Sequence, residues 1–384
     1  MTTRAQTNLA TADQVPLFDD HPTFRCVPAS ASSRWDCFPF IDLFAGIGGI
    51  RLGFESVGGK CVFSSEWDAQ AAATYTANFG ESPKGDITKI EASEIPDFDI
   101  LLGGFPCQPF SIIGDKAGFN HETQGTLFFD IERILKEKKP RAFMLENVRN
   151  LTSHDGGNTF KVIIDHIEAI GYKVYAKVLN ALDFGVPQKR ERIIICGFLD
   201  DVHYEFPTPV PERHRLSLSD ILEDDCIVDK RLWVKDTIRL SRIERMKAEI
   251  ERPYITHENV GGSITPHHYS CALRAGASAN YILINNERRP SPRELLRIQG
   301  FPESFMIDAP YSSVRKQLGN SVAVPVIKAV ASQIIKALED FERNGKGACS
   351  TGGCRRDYAT KPTVFGKRRI ASDKRDAKLS VSIP

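Results

Sequence analysis

An open α/β sheet of mostly parallel strands is the fold this sequence predicts, and three observations carry the prediction. Short apolar runs alternate with helically periodic segments from residue 38 to residue 170. A glycine-rich turn, Ala-Gly-Ile-Gly-Gly at 45–49, joins the first run to the first helical segment. In residues 158–170, Phe160, Ile163, Ile164, Ile167 and Ile170 recur at helical spacing, which gives one apolar stripe to bury against a sheet.

Taken in order, residues 1–35 lack periodicity and read as a flexible lead-in. Residues 38–44 read as a buried strand, 49–57 as a helix, 61–65 as a second strand and 69–77 as a second helix, a βαβ beginning. The alternation continues with a strand at 98–102, a helix at 126–138, a strand at 142–145, the helix at 158–170 and a strand at 192–198. Pro207, Pro209 and Pro211 then break the pattern, and charged segments follow to about residue 287. Residues 201–290 are therefore expected to form a separate, smaller unit. Helical periodicity returns at 292–298 and 324–338, so 291–340 is expected to rejoin the first domain, 36–200. Residues 341–384 carry 11 Lys and Arg against 4 Asp and Glu and read as a basic, disordered tail.

The 384 residues are 41% hydrophobic and 26% charged, enough to bury a large core. No apolar run approaches the roughly 18 residues that span a bilayer, and the first ten residues lack a signal-peptide core, so a cytoplasmic protein without membrane contact is expected. The nine cysteines are scattered, unlike a disulfide framework, and read as reduced thiols. Cys349 and Cys354 are the only close pair, and without neighbouring histidines they do not make a zinc site. Net charge is +1, but outside the tail acidic residues exceed basic ones by 45 to 39. Any nucleic-acid binding must then rest on local basic patches.

Two groups of residues point to chemistry. In the turn after the first strand, Gly46 and Gly48 match the first two glycines of a dinucleotide fingerprint, but Arg51 occupies the third position. A nucleotide-like ligand other than NAD is implied. Past the second strand, Glu66 offers an acceptor for a ribose diol, Trp67 a flat face for a base, and Asp86-Ile87 a partner for an adenine edge. Together these suit S-adenosylmethionine; singly, each could be a core or surface residue. The second group is Gly-Phe-Pro-Cys-Gln-Pro-Phe-Ser at 104–111, where Pro106 and Pro109 flank Cys107 at the end of a strand. The prolines restrict the backbone and hold the thiol in one place, as a nucleophile requires, although cysteine is also a common core residue.

The ordered set of motifs resembles the DNA (cytosine-5)-methyltransferases, particularly those of bacterial restriction-modification systems. The resemblance runs from about residue 40 to 338 through 42–53, Glu66-Trp67, 85–88, 104–111, Glu146-Asn-Val148, Gln188-Lys-Arg-Glu-Arg192, 293–302 and 319–325. It implies a Rossmann-like sheet with helices on both faces and a loop-rich target-recognition domain at 201–290. It also implies that the Cys107 thiolate adds to carbon 6 of a flipped-out cytosine while Glu146 relieves charge at ring nitrogen 3. Arg190 and Arg192, alternating on an extended segment, can both face the base carbonyl, Glu146 or phosphates. The implied cofactor contacts are Phe44, Gly46, Ile47, Gly48, Gly49, Glu66, Trp67, Asp86, Ile87, Pro106, Leu127, Asn320, Ser321 and Val322. Gln108, Ser111 and Arg274 are the candidate DNA contacts, and 112–124 has the composition of a closing lid. Family members carry Thr before Leu, Ile or Val in the recognition region; here the best match is Ala272-Leu273. S-adenosylmethionine, double-stranded DNA and a cognate restriction endonuclease follow as cofactor, substrate and functional partner, with no metal, for a protein acting as a monomer. A transfer-RNA methyltransferase and a catalytically silent DNA-binding relative are the alternatives on the same scaffold.

Overall fold

Strand β1 (Phe38–Leu43) sends Phe38 and Phe40 into one apolar core and Ile41 and Leu43 into another, so the sheet it belongs to must be covered on both faces. In the computed structural model, which describes residues 33–106, 127–246 and 248–348, that sheet has six strands. The others are β2 (Gly59–Ser65), β3 (Ile100–Gly104), β4 (Ala142–Val148), β5 (Lys173–Asn180) and, past the two-residue β6 (Gln188–Lys189), β7 (Glu191–Phe198). Their order is β2-β1-β3-β4-β7-β5. The first four are mutually parallel, whereas β7 runs antiparallel to β4 and to β5. Only β7 is reversed, because β5 runs with β4, so the sheet is mostly parallel as expected.

Helices α1 (Gly49–Glu55) and α2 (Ala69–Phe79) belong to the βαβ beginning, and α3 (Phe128–Lys138) and α4 (Asn158–Ala169) follow. Ile131, Ile134 and Leu135 of α3 with Ile163 and Ile167 of α4 cover one face of the sheet. Chain that follows the 201–290 segment covers the other. There α5 (Leu218–Ile221) and α6 (Asp236–Arg245) precede α7 (Pro292–Ile298), α8 (Tyr311–Asn320) and α9 (Val324–Ala348). Ile327, Val330, Ile334 and Leu338 of α9 pack on Phe40, Ile100, Met144 and Ile194.

Between α6 and α7 lies a second sheet of order β11-β8-β9, from β8 (Ile255–Glu258), β9 (Ile264–His267) and β11 (Ile282–Ile284). The intervening β10 (Ser270–Cys271) pairs with β6, pinning the 201–290 segment beside β7. A third cluster, with Ile255, Leu273, Ile282, Leu296, Phe301 and Leu318, also takes in Ile47 and Leu52 from the glycine turn and α1. The described residues up to Arg343 belong to one compact unit.

The stretch Tyr311–Gly345 is long and apolar enough to cross a membrane by length and composition, but 61% of its most apolar window is buried inside the protein, as in a core helix. One expectation, that every cysteine is a reduced thiol, needs correction. Cys37 is disulfide-bonded, while Cys61, Cys196, Cys226 and Cys271 are free. Scattered spacing argues against a framework of bridges but carries no information about a single one.

Candidate active site

The carboxyl ends of β1, β3 and β4 and the start of β7 open on one cleft of about 1050 Å³. After β1 the chain must reverse within a few residues, and Phe44, Gly46 and Gly48 all take positive φ to do so. Glycine is required at Gly48, where φ is 87° and a Cβ would lie 2.2 Å from the Phe79 ring. A Cβ on the next residue, Gly49, would lie 2.9 Å from Ser321 Oγ and Val322 Cγ2. Gly49 therefore packs against Ser321 and Val322, turn against turn, while Gly48 lies against Phe79, and none of the four lines the cleft. Phe44, Gly46, Ile47 and Asn320 line it.

Arg51, which breaks the dinucleotide fingerprint, is a buried strut. Its Nε donates to Glu55 at 2.6 Å and its Nη1 to Tyr75 Oη at 2.8 Å and to Glu81. Beside it Asp42 is fully buried, and neither carboxylate oxygen has a well-aligned hydrogen-bond partner. Burial pushes Asp42 up to about 8 despite the opposing charge of Arg51, so it is held largely neutral at pH 7.

Glu66 and Trp67 stand at the cleft wall as expected. The Glu66 carboxylate accepts from Gly46 N at 2.8 Å and from Asp68 N at 2.7 Å, so it ties the glycine turn to the start of α2 and keeps lone pairs free. Burial raises its pKa above the usual carboxylate value. Trp67 is 80% exposed, a large aromatic face without a protein cover. Asp86, Ile87, Pro106 and Leu127 complete the anticipated lining. These residues fit an adenosyl ligand: an acidic acceptor, an uncovered flat ring and a backbone turn open to close approach.

At the other end of the cleft, Gly104 pairs with Glu146 across β3 and β4, and Glu146 with Ile194 across β4 and β7. The sequence predicts that the strand ends at Leu145, whereas Glu146 lies inside β4 and is thereby fixed in the ladder. Its side chain is buried; Arg192 Nε sits 2.9 Å from Oε1 as an ion pair, yet Oε1 has no aligned hydrogen-bond partner. Burial lifts Glu146 above its ordinary value, while Arg192 and then Arg190 pull it back. Arg190 also lines the cleft, but its guanidinium donates to the backbone carbonyls of Leu273 at 2.9 Å, Gly319 at 3.1 Å and Ser321. Arg192 faces the carboxylate; Arg190 braces the walls.

Cys107, Gln108 and Ser111 lie outside the described residues, as does the 112–124 segment. The chain leading to Cys107 is nevertheless held, because Asn147 Nδ2 donates to Phe105 O at 2.9 Å from a buried position. Sequence reasoning gave Asn147 no role, nor Asp130, Lys316 and Gln317, which also line the cleft. Helical spacing carries a signal for three of them: Asp130 lies three residues past Leu127, and Lys316 and Gln317 lie one turn before Asn320. Lys316 Nζ spans to Asp68 at 2.5 Å. Arg274, exposed, lies one residue past Leu273 and so beside the Arg190 brace.

Residues 38–336 match the family described as C-5 cytosine-specific DNA methylase. The chain is 57% identical over 298 residues to the type II methyltransferase M.HaeII of Haemophilus aegyptius, covering 78% of this chain and 93% of that protein. It is 54% identical over 307 residues to M.NgoBI of Neisseria gonorrhoeae, with 80% and 96% covered. Among solved structures, the S. pombe Dnmt2 methyltransferase shares the fold at a TM-score of 0.60 and 19% identity, over 79% of this chain and 99% of that one. The chain therefore belongs to the C-5 cytosine-specific DNA methylases, and it is a DNA (cytosine-5)-methyltransferase of the bacterial restriction-modification kind.

Proposed function

We propose that this enzyme methylates carbon 5 of one cytosine within a short, specific sequence of double-stranded DNA, through a covalent Cys107 adduct to a flipped-out base. The observation that carries the proposal is the pairing of Glu146 with Gly104, three residues before Cys107. It brings a buried carboxyl, ion-paired with Arg192, next to the strand end that leads to Cys107. Carbon 5 of cytosine is a poor nucleophile. Addition of the Cys107 thiolate to carbon 6, with a proton or hydrogen bond from Glu146 at ring nitrogen 3, turns the ring into an enamine whose carbon 5 can attack. Arg192 sets the orientation of Glu146 and tunes its acidity. S-adenosylmethionine, held by Glu66, Trp67, Asp86 and the glycine turn, supplies the electrophilic methyl group. Loss of the carbon 5 proton then releases Cys107. The target carbon is stacked inside duplex DNA, so the base must leave the helix first.

Residues 201–290 are assigned to target recognition, since their loops and second sheet adjoin the cleft without contributing a catalytic carboxyl or thiol. A cognate restriction endonuclease is the functional partner, and the cytoplasm, where the DNA is, the site of action. Bisulfite sequencing of duplex DNA treated with the enzyme and S-adenosylmethionine tests the whole reading. Protection of one cytosine in one recurring context is expected. Modification of RNA alone, or of cytosines without a shared context, would contradict it.

A further inference from the structure

The recognition region carries a cationic cluster that the catalytic chemistry does not use. His257 on β8 and His267 on β9 share one face of the second sheet, because Thr265 pairs with His257 and lies two residues before His267. Arg274 Nη2 lies 3.5 Å from His257 Nε2. Its guanidinium sits 5.0 Å from the centre of the Tyr281 ring, and its backbone N–H donates to Tyr281 Oη at 3.1 Å, so the side chain is anchored at both ends. His267 stacks on Tyr269, with ring centres 4.7 Å apart and planes 17° from parallel. Lys189, exposed on β6, pairs in register with Cys271 and projects its charge onto His267.

Among the described residues no carboxylate pairs with this group. Among the described residues neither Lys189 nor Arg274 makes an ion pair, whereas most other arginines of the region do. Glu258, next to His257 and therefore on the opposite face, is taken by Arg242 and Arg245. Glu191, two residues past Lys189, is taken by Arg149. The other groups facing the two imidazoles are Arg242, the neutral Tyr281 and each other. Four nitrogen-bearing side chains thus converge without an anion, one residue from the Leu273 carbonyl that Arg190 holds at the cleft wall.

We propose that Lys189, His257, His267 and Arg274 form a site for backbone phosphate of the duplex DNA at the rim of the cleft. This deepens the proposed function and rests on its assignment of residues 201–290 to recognition. The two fixed cations supply the standing attraction; the imidazoles add to it on protonation. In the free protein burial, with Arg274, His267 and Arg242 around His257 and Lys189 near His267, holds both imidazoles below their ordinary value. A phosphate favours their charged form, so binding takes up protons and must strengthen as pH falls through the histidine range.

Fluorescence anisotropy with a labelled cognate duplex, at fixed ionic strength from pH 8 to pH 5.5, reads this directly. The wild-type Kd should fall by up to about tenfold per pH unit for each proton taken up. The double variant His257→Gln, His267→Gln should bind with a nearly flat profile. Lys189→Ala, an exposed position whose loss leaves the fold in place, should reduce the slope of log Kd against log salt by about one, as should Arg274→Ala. A wild-type Kd independent of pH, a double variant with the wild-type profile, or full salt slopes in both cation variants would each overturn the site. If Arg274→Ala instead relaxes one position of the sequence context at an unchanged salt slope, Arg274 reads a base and its place in the site is wrong. None of these results depends on which cytosine is methylated, so bisulfite mapping on the same duplex separates failure of this site from failure of the recognition assignment.

Discussion

The proposed mechanism requires Glu146 to be protonated, or to share a proton, at the pH where a thiolate also exists, and burial against the pull of two arginines would reconcile these demands. Since burial raises its pKa, the useful protonated form is present below that value and is lost as pH rises through it. The rate of the chemical step should therefore fall on the alkaline side through a group titrating above the ordinary carboxylate. Glu146→Gln keeps a hydrogen-bond donor but has no proton to transfer; single-turnover rates should drop by about 100-fold or more and lose that alkaline limb. A glutamine variant with near wild-type rate would remove Glu146 from proton transfer. Cofactor binding gives a second residue-level test. Trp67→Ala removes a stacking face, with a loss of about 1 to 2 kcal/mol in S-adenosylmethionine affinity by calorimetry. Glu66→Ala should cost more, because Glu66 also holds Gly46 and Asp68 through their backbone N–H groups. Equal affinity in both variants and the wild type would mean that the ligand lies elsewhere.

Strand β1 carries a buried acid whose burial outweighs the opposing charge of Arg51. Asp42 has a folded-state pKa of about 8 against 3.8 unfolded, so its contribution is intact below pH 3.8 and stability is lost as pH rises from there through 8. Asp42→Asn removes that titration. Its melting temperature should exceed that of wild type at pH 8, and the gap should narrow as pH falls toward 5; a variant less stable at pH 8 would show that the carboxylate has a partner worth more than its burial costs. Elements of this kind were legible in the sequence where local patterns were strong. Residues 38–44 and 158–170 match β1 and α4 closely, and 98–102 finds β3 two residues early, because strands buried on both faces are largely apolar and α4 has a clear stripe. Strand β5 escaped, since it is an edge strand, half-exposed, with Lys173 and Lys177 breaking the apolar run. Helix α8 escaped as well: only Ser313, Val314, Gln317 and Leu318 are buried in it, and half of these are polar. The roles of Asn147 and Arg190 could not be read from the chain, because each depends on backbone carbonyls in its neighbours, at Phe105 for one and at Leu273, Gly319 and Ser321 for the other.

Across the whole molecule, a sheet covered on both faces leaves only its strand ends free, and the cleft forms where those ends meet the turn that brings α8 back to α9. Arg190 and Gln188 lock this junction. Gln188 receives the Leu273 N–H at 3.2 Å and donates to Ile298 O and Gln299 Oε1, so recognition and catalytic segments share one buried hydrogen-bond cluster. Such a frame suits the covalent mechanism proposed above, in which a base extracted from the duplex would meet thiol, carboxyl and methyl donor together. The most direct test is mass spectrometry of the enzyme after reaction, with S-adenosylmethionine present, on duplex DNA carrying 5-fluorocytosine at the mapped target. Fluorine blocks the elimination that frees the thiol, so a stable adduct of protein, methyl group and DNA should accumulate, with the linkage on Cys107 and none in Cys107→Ala. Full methylating activity on ordinary DNA without any trapped adduct on the fluorinated duplex would contradict covalent catalysis by Cys107.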